Sequence, residues 1–186
     1  MPSQTKWQID ASHSAAEFAV KHLMISTVKG HFADVSGTVT TDDSDPNKVS
    51  VDVSIGVASI DTREPKRDAH LRSPDFFDTE KFPKITFKGT RVDGSVDGEF
   101  KLTGNLTIRD VTRPVTLNVE SAGHVKDPWG GERAGFAATT KINRKDFGLG
   151  WNMALEAGGV MVGEEVKIAI ELELVKQAPV EAVAAV

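Results

Sequence analysis

The run Val49-Ser50-Val51-Asp52-Val53-Ser54-Ile55-Gly56-Val57 alternates between branched apolar residues and small or acidic ones. A period of two is that of a β-strand with one face buried and one face wet. Working outward, the same rhythm returns in four further stretches. Phe100, Leu102, Leu106 and Ile108, with Gly104 in register, oppose Lys101, Thr103, Asn105, Thr107 and Arg109. Val115, Leu117 and Val119 follow Pro114; Phe136, Ala138, Thr140 and Ile142 form another strand. Val166, Ile168, Ile170, Leu172 and Leu174 form a long one. Weaker alternation marks Trp7 with Ile9, Ala16 to His22, Phe32 to Thr40, and Ile85 to Lys88. The pattern predicts an all-β chain of about eight or nine strands, closed as a barrel or stacked as a sandwich. Periodicity alone does not separate the two.

Turn chemistry divides these stretches. Asp42-Asp43-Ser44-Asp45-Pro46-Asn47 is read as one connection, Asp93 to Gly98 as a hairpin loop, and Asp127-Pro128-Trp129-Gly130-Gly131 as another. The glycines at 148, 150, 158, 159 and 163 match no phosphate-cradling motif and read as corner glycines. One segment breaks the β rhythm. Thr62 to Asp78 reads as a helical turn or two, or a compact loop, limited by Pro74. Such a segment can plug one end of a barrel, and it is the natural lid.

Composition narrows the function classes. The chain has 186 residues, 39% hydrophobic and 26% charged, with a formal net charge of -5. The acidic balance argues against a nucleic-acid partner. There are no cysteines, so disulfides, thiolate metal sites and a cysteine nucleophile are excluded. The start, Met1 to Trp7, lacks the apolar stretch of roughly 7–15 residues typical of a secretory leader, and a cytoplasmic location is the expectation. No run approaches the ~20 apolar residues of a membrane helix. The domain is expected over residues 6–175, with residues 1–5 and 176–186 as flexible termini.

Three polar constellations invite chemistry, each beside a plainer reading. With a turn near Ser26-Thr27, His22 and His31 would face each other across two strands and could share a metal; otherwise they are hydrogen-bonded or exposed strand histidines. Asp68 and His70 could serve a hydrolase or isomerase, but no Gly-x-Ser-x-Gly elbow accompanies them. The plainer reading is a polar network of Arg67, Asp68 and His70 that fixes the loop. Arg63, Lys66, Arg67 and Arg72 could meet an anionic head group, or pair locally with Glu64, Asp68 and Asp75. No catalytic residue, metal site or cofactor is assigned.

Ordered motifs connect these pieces: Trp7-x-Ile9-Asp10-x-x-His13-Ser14, Phe18-x-Val20-x-His22-Leu23, Gly30-x-Phe32 and Gly37, then Ser59-Ile60-Asp61-Thr62. They continue through Arg67-Asp68-x-His70-Leu71-Arg72-Ser73, Phe76-Phe77-Asp78 and Phe82-Pro83-x-Ile85-Thr86-Phe87. Gly104-x-Leu106-Thr107-Ile108 and Ile142-Asn143-Arg144-x-Asp146-Phe147-Gly148-Leu149 complete the set. Together they resemble the YceI-like family, the lipocalin-like polyisoprenoid-binding proteins. The resemblance implies an eight-stranded antiparallel lipocalin-like β-barrel with a short helical insertion. It also implies a non-enzymatic carrier or store of a long isoprenoid chain, of the polyprenyl or quinone type or a similar apolar lipid, and a homodimer. Asp110 stands where the family has glycine after a strand end. The expected apolar lining is Phe18, Val20, Phe76, Phe87, Phe100, Leu102, Phe136, Leu149 and Trp151. His22, Arg67, His70 and Arg144 are the expected polar or head-group contacts.

Overall fold

A computed structural model describes residues 3–179. Eleven strands form one antiparallel sheet: β1 (Gln4–Ile9), β2 (Ala15–His22), β3 (Ser26–Phe32), β4 (Val35–Asp42), β5 (Asp45–Gly56), β6 (Ile60–Asp61), β7 (Lys84–Gly94), β8 (Glu99–Ile108), β9 (Val111–Lys126), β10 (Glu132–Asn143) and β11 (Val162–Lys176). Six of them are segments of three bent strands. β1 and β2 lie end to end along β11, β3 and β4 run on across Ala33-Asp34, and β5 and β6 run on across the turn Val57–Ser59. The result is an up-and-down barrel of eight strand positions, closed where Trp7, Gln8 and Ile9 pair with Lys176, Val175 and Leu174. The barrel alternative therefore holds and the sandwich does not.

The bends have local causes. Between β1 and β2 the Asp10 carboxylate accepts from Ser12 N–H and caps a single 3-10 turn, while Ser14 Oγ accepts from Glu173 N–H. That turn lets one strand change its direction without leaving β11. Val57 continues the alternation of its strand yet sits in a 3-10 turn, fully buried.

The insertion is a short helix, α1 (Pro65–Arg72). Glu64 caps it by accepting from Lys66 N–H at 2.9 Å, and Pro65 fills the first turn, where no donor is needed. The helix stops at Ser73, whose hydroxyl donates to His70 O, just before Pro74. Phe76 therefore lies beyond the helix rather than on its face. Polar ties hold α1 down. Arg72 donates to Ala58 O and Ile60 O, and buried Asp68 accepts from Thr62 N–H and Oγ1.

Several boundaries differ from the sequence reading. The β4–β5 turn is only Asp43-Ser44, so Asp45, Pro46 and Asn47 belong to β5. The β2–β3 turn is Leu23 to Ile25, not Ser26-Thr27, and it uses positive φ at Leu23 and Met24. His22 then pairs with Ser26 and His31 with Glu17, so the two histidines do not face each other. Gln4, Thr5 and Lys176, read as loose ends, are paired in the sheet. Of the expected flexible termini, residues 1, 2 and 180–186 lie outside the described residues. At the departure from the family pattern, the left-handed residue of the β8–β9 turn is Arg109 (φ 56°), not Asp110.

No helix among the described residues is long and apolar enough to cross a membrane. Outward positions of β11 carry Glu165, Lys167 and Glu171, whereas its inward positions are Val166, Ile168, Ile170 and Leu172. A lipid-facing barrel shows the reverse arrangement.

Candidate functional site: the barrel bore

The interior is hollow. A cavity of about 810 Å³ runs along the bore, within the usual ligand-pocket range of about 300–1,000 Å³. The inward side chains report it themselves. Phe18, Val53, Phe87, Phe100, Phe136 and Ile170 point inward yet stay half-buried, because they face open volume rather than packed neighbours. True core is confined to layers such as Val35, Val57, Ile60 and Phe147, which are almost completely covered. A barrel filled by its own side chains would show no such half-buried inner face.

Two glycines make room for aromatic rings along the wall. A Cβ at Gly30 would fall 2.4 Å from Phe18 Cζ, and one at Gly104 would fall 2.4 Å from Phe87 Cζ. The rings therefore lie across the neighbouring strands and give the bore broad apolar surface. Phe100 and Phe136 meet edge to face at 6.2 Å further along.

All the residues expected from the sequence to line the cavity stand on its wall, the polar ones included. Sequence reasoning passed over Trp7, Phe32, Phe77 and the inner face of β11, which also line it. The signal for β11 was present in its alternation. Trp7 packs its ring against His124 at 5.8 Å, a long-range contact that no local pattern announces.

The two ends of the bore differ. At one end the β4–β5, β7–β8 and β9–β10 hairpins place Asp42, Asp43, Asp97 and His124 on the wall. At the other, β2 and α1 bring Lys21, His22, Lys66, Arg67 and His70.

At the α1 end, Arg67 Nε donates to Thr62 Oγ1 and its Nη2 to Thr62 O, both at 2.7 Å. Thr62 thus links Arg67 to Asp68. His70 is not part of that network. Its Nε2 is 2.8 Å from Asp75 Oδ2, and its ring meets Phe76 and Trp151 edge to face at 5.1 and 4.7 Å. The expected single network of Arg67, Asp68 and His70 is therefore two separate ones, and Asp68 does not orient His70. Nor do the basic residues pair with Glu64, Asp68 and Asp75. Among the described residues, Arg63, Lys66, Arg67 and Arg72 form no salt bridge.

Arg144 is 3% exposed, and no carboxylate among the described residues forms a salt bridge with it. Its guanidinium donates to four backbone carbonyls: Gly163 (2.8 Å), Leu149, Trp151 (2.9 Å) and Val162 (3.2 Å). Burial pulls its pKa down, and Glu164 opposes that only in part. A side chain used this fully holds the 149–162 loop in place, so its part in the site is to position Leu149 and Trp151.

Near the opposite end, Asp10, His13 and Glu173 come close enough to share a metal ion. Arg133 fills that position instead. Its Nη1 donates to Asp10 Oδ2 and Glu173 Oε1, and its Nε donates to Asp127 Oδ2 at 3.1 Å. Hydrogen bonds from Ser12, His13 and Arg133 hold the Asp10 carboxyl far below the usual range. Gly131 N–H and Arg133 lower Asp127 likewise. Glu173, Asp10 and Asp127 raise Arg133 in return.

A closed antiparallel barrel around a long, mainly apolar hollow, with its basic and acidic clusters at the two ends, defines a lipocalin-like binding barrel. The YceI-like domain matches residues 7–174, and the chain belongs to that family. Protein YceI of Salmonella newport (strain SL254) is 42% identical over 168 residues, covering 90% of this chain and 84% of that protein. Among solved structures, BcnA of Burkholderia cenocepacia superposes with a TM-score of 0.76 at 24% identity, covering 89% of this chain and 98% of that one. A polyisoprenoid binding domain from Saccharophagus degradans superposes with a TM-score of 0.66 at 16% identity, covering 93% and 98%. At those identities both structures are likenesses of fold.

Proposed function

We propose that the protein carries or stores one long apolar lipid of the isoprenoid class, held in the bore without covalent chemistry. The observation that carries this reading is the continuous apolar hollow with half-buried inward aromatics. The polyisoprenoid-binding fold neighbour supports the choice of ligand class.

Chain burial supplies the binding energy. Each buried CH₂ contributes ~0.8 kcal/mol, so a five-carbon unit gives roughly 3–4 gross. A micromolar complex needs about 8 kcal/mol net, and association costs several more. A few isoprene units satisfy both without a strong head-group contact. The non-catalytic part of the reading is supported by the engagement of Asp68 with Thr62 and of His70 with Asp75. The reading includes a homodimer, as the family resemblance implies, which sedimentation velocity would test.

The deciding experiment is organic extraction of protein purified without detergent, followed by mass spectrometry. A stoichiometric polyprenyl, quinone or acyl species is expected. An empty protein that also fails to take up added prenyl alcohols, or an affinity that does not rise with prenyl length, would overturn the reading.

A further inference from the structure

We infer that the α1 end of the barrel docks on anionic lipid bilayers, with the β2–β3 hairpin tip as its apolar anchor. The inference rests on the carrier reading and extends it to the place where ligand is exchanged.

The tip residues are unusual for an exposed turn. Met24 is 58% and Ile25 83% exposed, and no packing among the described residues accounts for either. Beside them stands Met153, also exposed, on the 149–162 loop. Hydrogen bonds make the two segments neighbours: Leu23 N–H donates to Met161 O at 2.8 Å, and Met161 N–H donates to Met153 O at 3.0 Å. Three of the four methionines in the chain therefore gather on one rim. Unbranched, polarizable side chains suit an irregular apolar phase.

That rim belongs to the mouth of the bore. Met161 lines both, together with Lys21, Lys66 and Arg67. The side chains of Lys21 and Lys66 have no salt-bridge partner among the described residues. Of the acids at this end, Glu64 is committed to capping α1, Asp68 to Thr62, Asp75 to His70, Asp61 to Arg63 N–H, and Glu164 to Lys145; Asp78, Glu80 and Glu156 stand on the connecting loops. The opposite end carries Asp42, Asp43 and Asp97. With Lys21, Lys66 and Arg67 at this mouth, none in a salt bridge among the described residues, and Asp42, Asp43 and Asp97 at the other, the protein meets a negative surface with the α1 mouth first. An apolar tip flanked by lysines is the combination that holds a protein at a membrane interface. With this end on the bilayer, a lipid chain passes between membrane and bore without crossing water.

Co-sedimentation of the full chain with vesicles tests this, comparing phosphatidylcholine alone with phosphatidylcholine containing phosphatidylglycerol at low and physiological salt. Binding to the anionic vesicles that falls as salt rises is expected. The double variant Met24→Ser/Ile25→Ser, and separately Lys21→Glu/Lys66→Glu, should each bind roughly tenfold more weakly or worse. Trp129→Ser, at the 84% exposed tip of the opposite β9–β10 hairpin, should bind like the parent. Absence of binding to anionic vesicles overturns the proposal, as does an equal loss with Trp129→Ser. If the tip variant instead changes the oligomer size in sedimentation velocity, the tip is an interface between copies and the proposal fails. Uptake of a prenyl alcohol in vesicle-free buffer, measured on the same variants, separates the two readings. Uptake without vesicle binding sinks docking alone; vesicle binding without uptake supports docking and sinks the carrier.

Discussion

The two ends of the barrel both rely on arginine, but with different partners. At the α1 end, Arg144 and Arg72 donate to backbone carbonyls, and Arg67 donates to Thr62. At the hairpin end, Arg133 alone draws in the carboxylates of Asp10, Asp127 and Glu173. Carbonyls satisfy a guanidinium's donors without cancelling its charge, whereas carboxylates cancel it and more. The same residue type therefore organises both ends, keeping its charge at one and surrendering it to carboxylates at the other. The hairpin-end cluster should be sensitive to pH and salt, and the carbonyl-bound arginines should be nearly indifferent to both.

The largest break in this comparison is Arg144→Leu. It leaves the carbonyls of Gly163, Leu149, Trp151 and Val162 without their donor in a buried site. Urea unfolding should show a loss of about 3–4 kcal/mol, and Arg144→Lys should recover only part of it. A tryptophan fluorescence change is expected with it, because Trp151 sits on the released loop.

Gly104→Ala comes next and probes the wall between the ends. The new Cβ would lie 2.4 Å from Phe87 Cζ and 2.6 Å from Lys88 O, and the backbone oxygen cannot step aside. A cost of about 2 kcal/mol is expected, with weaker uptake of prenyl alcohols as the Phe87 ring is driven into the bore.

Arg133→Met should cost less at neutral pH but change the response to acid. Asp10 and Asp127 have lowered folded-state pKa values, so their contribution is full above the unfolded carboxylate value of about 4 and is lost as pH falls. The parent should lose stability steeply below about pH 4. The variant should start lower and fall more gently, as thermal melts across that range would show. Equal slopes would mean that the cluster is not what couples stability to acid.

The smallest effect is expected from His70→Ala. An exposed pair such as His70–Asp75 contributes on the order of 0.5 kcal/mol. Ligand uptake should persist. A turnover assay on ester or prenyl substrates that found activity abolished by this change would favour an enzyme.

Much of the wall was legible because alternation is a local signal. The inward residues of β5, β8, β10 and β11 follow from spacing alone, and so does the break at Thr62 to Asp78. The β2–β3 turn was not legible. Leu23 and Met24 take positive φ without the glycine or asparagine that announces it, and Ser26-Thr27 offers a better-looking turn two residues on. The partners of the arginines were hidden for another reason. A cluster such as Arg63 to Arg72 suggests nearby acids, yet Arg72 bonds to carbonyls more than ten residues away, and Arg133 reaches back to Asp10 across 123 positions. Hollow and filled barrels share one alternation pattern, so spacing alone does not encode the bore.

The seam between β1 and β11 joins the first strand of the barrel to the last, and Gln177 N–H completes it by donating to Lys6 O at 2.8 Å. Contacts of this sequence separation are entropically the slowest to form. During synthesis the sheet can grow hairpin by hairpin, but its two edges stay open until the final strand leaves the ribosome. Until then the apolar inner face is a curved open surface, exposed to chaperones and to other nascent chains. The hollow is thus the last feature of the barrel to form, and a ligand can be enclosed only once β11 has emerged and paired with β1.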